Sequence, residues 1–95
     1  MRKAKGLKSP SVRVTFELPA ISAGERVEVL GDWNGWQGTP MKQRKDGRFS
    51  VTVLLPKARE YRYRYLVDGC RWENDWSADG YVPNPYGGED CIVAL

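Results

Sequence analysis

Five carboxylates crowd one stretch of the chain: Glu73, Asp75, Asp79, Glu89 and Asp90. Cleaving a glycosidic bond takes a pair of such groups facing each other across a cleft. A chain of 95 residues seldom builds so deep a cleft, and acids that solvate a loop are the simpler reading. There is no histidine, and neither the two cysteines nor the serines come with a recognisable base, so triad-type nucleophilic chemistry has nothing to run on. Asp75, Ser77, Asp79 and Gly80 fit positions one, three, five and six of a calcium loop, yet position twelve, where a bidentate Glu belongs, is Tyr86. Calcium is therefore rejected. Two thiols without histidine do not complete a zinc site. The expectation is no enzyme, no metal and no cofactor.

The aromatic residues carry more chemistry. Trp33 and Trp36 flank Asn34-Gly35 in the stretch GDWNGW, and that central pair tolerates the positive φ of a tight hairpin turn. One indole can continue a buried face while the other points outward. A flat indole matches the C–H patch on the face of a sugar ring, and polar side chains around it can bond the hydroxyls at the rim. Base stacking on an aromatic side chain is the nearest measured analogue, at roughly 1–3 kcal/mol per platform. Trp72, just beyond the Asp68-Gly69 turn, offers a second platform, and Arg64 offers donors. The competing reading places all four tryptophans in the core.

Strands must position these groups. Val12, Val14, Phe16 and Leu18 alternate with Arg13, Thr15 and Glu17, and Pro19 ends the run. Arg26 to Leu30 repeats the alternation, as do Phe49 to Leu55 after Asp46-Gly47 and Tyr61 to Val67 before Asp68-Gly69. Cys91 to Leu95 closes the chain. Helical periodicity is absent, so an all-β sandwich of two antiparallel sheets is expected. Residues 75–90 read as one long loop rich in Asp, Pro, Gly and Tyr, a kind of connection that is usually functional or disordered; the aromatic content favours order.

Composition bounds the rest. The length suits one domain, and 41% hydrophobic with 28% charged residues describes a globular chain. Nothing approaches a membrane-spanning run, and the basic N-terminus has no hydrophobic segment behind it, so a cytoplasmic location and no membrane partner are expected. Arg2, Lys3, Lys5 and Lys8 precede the first acid, Glu17. Fifteen basic residues less these four leave eleven, against twelve acids. The positive charge thus belongs to residues 1–10, read as a flexible arm, with the domain at 11–95. The balanced remainder argues against a nucleic-acid partner. Cys70 and Cys91 are expected as free thiols.

The series VEVLGDWNGW, Pro40-Met41, DGRFSVTVLL, YRYRYLVDG with Trp72, and PNPYGGED resembles carbohydrate-binding module family 48, the glycogen-binding domains of the AMP-activated protein kinase beta subunit and of branching and debranching enzymes. The resemblance spans residues 12 to 95. It implies an early-set, immunoglobulin-like β-sandwich that binds α-1,4-glucan, glycogen or starch-like chains and their maltooligosaccharides, without cleaving it. A glycogen-metabolising enzyme is the implied protein partner. Residue by residue, Trp36 and Trp72 match the family's stacking tryptophans, Trp33 a core aromatic, and Arg64 a basic residue that bonds hydroxyls. Tyr86 and Gly88 match a ligand-gripping loop, and Asp90 matches a sugar-bonding asparagine. Two departures stand out: Cys70 and Arg71 separate Trp72 from the Asp-Gly turn, and Asp90 lacks the amide donor. They motivate the alternative of a protein-interaction module of this fold that has lost sugar binding.

Overall fold

The computed structural model describes residues 1–5, 9–20 and 23–95. Among the described residues, ten strands form two antiparallel sheets. The first sheet has the order β1-β2-β6-β5, from β1 (Arg2–Lys5), β2 (Ser11–Leu18), β6 (Phe49–Pro56) and β5 (Lys42–Gln43). The second has the order β4-β3-β7-β10-β9, from β4 (Thr39–Pro40), β3 (Val27–Gly31), β7 (Glu60–Val67), β10 (Glu89–Ala94) and β9 (Gly80–Pro83), with β8 (Arg71–Glu73) paired to the end of β7. Among the described residues no helix is long and apolar enough to cross a membrane.

Period-two alternation explains why the sheets stack. Val12, Val14, Phe16 and Leu18 of β2 are buried, as are Tyr61, Tyr63, Tyr65 and Val67 of β7, and both rows belong to one core cluster. Three tyrosines in an interior need partners for their hydroxyls. Tyr61 donates to the Pro56 carbonyl at 2.9 Å. Tyr63 and Tyr65 both donate to Oδ2 of buried Asp75, at 2.7 and 3.1 Å. Burial, reinforced by that carboxylate, pushes both phenols above their ordinary range. Asp75 is thus a structural acceptor rather than a loop acid.

Residues 1–10 are not wholly an arm, because Arg2–Lys5 pair with β2 from Arg2↔Thr15 to Lys5↔Val12. The RKAK stretch has no alternation to announce a strand. Its pairing comes from the free edge of β2 and from ion pairs of Arg2 with Glu17 at 2.7 Å and Lys3 with Asp79 at 2.6 Å. The expected 75–90 loop likewise contains β9, which runs along β10 from Gly80↔Ile92 to Pro83↔Glu89. Both cysteines are free, Cys70 exposed in a turn and Cys91 buried. Burial lifts the Cys91 thiol to about 11, although the Asp75 N–H it accepts opposes the rise.

Candidate functional site

The outer face of the six-stranded sheet carries the site, and the pleat dictates which residues reach it. Tyr63 and Tyr65 face inward, so Arg64 between them faces out. Trp72 pairs with Leu66 and shares Arg64's face. Asp90 precedes core-facing Cys91 and pairs with Val82, which puts it on that face as well. The β3–β4 connection brings in Trp36 and the segment after β9 brings in Tyr86. A groove of about 770 Å³ results, lined by Trp36, Arg64, Trp72, Asn84, Pro85, Tyr86, Gly87, Gly88 and Asp90. All five residues singled out in the sequence, Trp36, Arg64, Trp72, Tyr86 and Asp90, therefore meet in one depression.

The connection carrying Trp36 is wider than the two-residue hairpin its sequence suggests. The register Val29↔Thr39 and Glu28↔Pro40 leaves residues 30–38 outside the β3–β4 pairing. A 3-10 turn spans Asp32–Asn34, and Gly35 and Trp36 both adopt left-handed backbone, with φ of 70° and 62°. The local cause is side-chain bonding by Asn34, whose Oδ1 accepts the Gln37 N–H while its amide donates to the Gln37 carbonyl. The two indoles then part company. Trp33 stacks on Phe16 with ring centroids 5.1 Å apart and leans on Tyr61 and Tyr63. Gly31 has no side chain to obstruct it: a Cβ there would run into the Trp33 ring. Trp36, half-buried, lines the groove.

Trp72 is 44% exposed, and its separation from the Asp-Gly turn by Cys70 and Arg71 does not remove it from the groove. The Arg64 guanidinium lies over its ring at 5.6 Å from the centroid and donates Nε–H to Asn74 Oδ1 at 2.9 Å. One face of Trp72 is thus turned to a cation. Tyr86 is 94% exposed at the tip of residues 84–88. Asn84 shapes that tip: its Oδ1 accepts the Tyr86 and Gly88 N–H groups at 2.9 and 3.1 Å, and its amide donates to Asp90 Oδ1 at 3.2 Å. One Asp90 oxygen is therefore already engaged as the acceptor of the Asn84 amide. Asp90 is buried at 8% exposure, its side chain held by the tip of the loop.

Sequence reasoning missed three residues that hold the others: Asp32, Asn74 and Asn84. Asn84-Pro85 ahead of Gly87-Gly88 is a turn-initiating pattern, and that signal was available. Asp32 and Asn74 carry no such signal, because the fold sets the β7 partners they bond, Arg62 and Arg64. Of the remaining acids, Asp79 pairs with Lys3 and Glu73 with Arg71. Among the described residues no cluster of three or more His, Cys, Asp or Glu could hold a metal ion.

A second depression of about 520 Å³ lies at the first sheet, among Arg2, Glu17, Lys42, Arg44 and Arg48. It contains no aromatic ring.

Comparison with curated proteins returns no match. A family model describing the glycogen recognition site of AMP-activated protein kinase matches residues 12–82, a span that includes Trp33, Trp36, Arg64 and Trp72 and stops just short of Asn84. With most of its length matched, the chain belongs to this glycogen-recognition family of carbohydrate-binding modules.

Proposed function

We propose that this module binds α-1,4-linked glucan in the groove of the six-stranded sheet. The observation that carries the reading is the convergence of Trp36, Arg64, Trp72, Tyr86 and Asp90 on one depression. Trp36 offers a ring to the face of a glucosyl unit, and Trp72 a second contact beside it. Arg64, steadied by Asn74, donates to hydroxyls with the N–H groups that Asn74 does not use. Asp90 accepts from hydroxyls, and Tyr86 at the loop tip closes over the chain. The groove is open, so it covers one side of a sugar chain and binds with modest affinity.

The role is binding without cleavage. Asp90 is the one carboxylate among the residues lining the groove, whereas hydrolysis of a glycosidic bond uses two. Such a module serves a glycogen-metabolising enzyme by keeping it on its polymer.

Titration with maltoheptaose, followed by tryptophan fluorescence, tests the reading. Saturable quenching or enhancement that is lost in Trp36→Ala, with the unfolding midpoint retained, is the expected result. A wild-type protein that binds neither maltoheptaose, amylose nor glycogen would overturn it and favour the protein-interaction alternative.

A further inference from the structure

We propose that Asp32 is a positioning residue that fixes the angle of the Trp36 ring. The inference rests on the glucan-binding reading and deepens it. Asp32 follows Gly31, the last residue of β3 to pair with β7, and its side chain takes over where the backbone ladder stops. Oδ2 accepts the Arg62 N–H of β7 at 2.8 Å, and Oδ1 accepts the Trp36 indole Nε1–H at 2.8 Å. One carboxylate thus ties the ring to a central strand of the sheet through two charge-assisted hydrogen bonds. The tie is needed because the backbone under the ring is unusual. Gly35 and Trp36 are consecutive left-handed residues, and φ of 62° is an uncommon conformation for a bulky side chain. Besides Asp32, the backbone bond from Trp36 N–H to the Gly31 carbonyl at 2.9 Å holds it in place.

A chemical consequence follows for the ligand. The indole's single donor is spent on Asp32, so Trp36 presents a ring face and no hydrogen bond to a sugar. Asp32 acts through Trp36 and touches no glucosyl unit.

A double-mutant cycle tests this by calorimetric titration with maltoheptaose. Asp32→Ala in the wild-type background should weaken binding about fivefold. In a Trp36→Phe background, which keeps a ring but has no N–H, the same substitution should change affinity less than about twofold. Loss of the Arg62 acceptor is common to both backgrounds and cancels. Equal losses in the two backgrounds, or no loss in either, would overturn the proposal. If Asp32→Ala does not fold, Asp32→Asn enters the same cycle with a smaller effect of the same sign. A glucan-free readout separates the two ideas: the Trp36 indole N–H should exchange slowly with solvent in wild type and quickly in the Asp32 variant. Should wild type fail to bind maltoheptaose while that contrast holds, the glucan reading falls and the anchoring of the ring stands. Equal exchange in both proteins would overturn the anchoring itself.

Discussion

The space between the sheets and the groove outside them use the same residue types and fix them in different ways. Each region has a tryptophan from GDWNGW and a buried carboxylate: Trp33, partly buried and packed against the core, with Asp75, and Trp36, half-buried at the groove, with Asp90. Inside, ring-on-ring packing against Phe16 and two phenol hydroxyls on Asp75 set the geometry. Outside, the geometry is set by polar bonds from neighbouring loops: Asp32 to Trp36, Asn74 to Arg64 and Asn84 to Asp90. Stability and shape should therefore be separable. Changes in the interior act on unfolding, whereas changes around the groove act on ligand affinity.

Trp33→Ala would test that separation most severely. Removing a ring that touches Phe16, Tyr61 and Tyr63 should cost about 3 kcal/mol in urea unfolding; a loss below about 1 kcal/mol would take Trp33 out of the core. Trp36→Ala should do the reverse, weakening maltoheptaose binding by about tenfold or more while unfolding changes by less than about 0.5 kcal/mol. Tyr63→Phe removes one donor to Asp75 and leaves Tyr65 in place, which should lower stability by about 1 kcal/mol and leave glucan affinity unchanged. Asn84→Ala should cost about fivefold in affinity with little loss of stability, because its bonds are confined to the exposed tip and Asp90.

Alkaline pH gives a gentler version of the same contrast. Cys91, Tyr63 and Tyr65 have folded-state values raised above those of the unfolded chain. Their contribution is complete below the unfolded value, near 9.0 for a thiol, and declines as pH climbs toward about 11 for Cys91 and beyond for the phenols. The urea midpoint should fall over that interval, and fall less in Tyr63→Phe. In native protein a thiol reagent should label exposed Cys70 promptly and buried Cys91 only on unfolding. Labelling of both at similar rates would erase the distinction between inside and outside.

How much the sequence disclosed followed the physics of each region. β2, β6 and β7 were legible because one face of each is buried, and burial writes a period of two into the chain. β1 was not, because RKAK has no apolar face and owes its conformation to an available edge. β9, just four residues ending in Pro83, is equally silent. In the groove, the aromatic and basic residues could be picked out because their chemistry is written in their types. The anchors Asp32 and Asn74 escaped, since each becomes significant when a strand distant in sequence, β7, supplies Arg62 or Arg64.

Gly31 connects the two regions in one residue. Its missing side chain lets the Trp33 ring pack against the core, and its carbonyl accepts the Trp36 amide on the way to the groove. Anyone retuning this module for a different polysaccharide has latitude at the rim and none at this fulcrum. A methyl group added there would collide with the Trp33 ring, and any backbone shift that relieved the clash would move the carbonyl that holds the Trp36 amide.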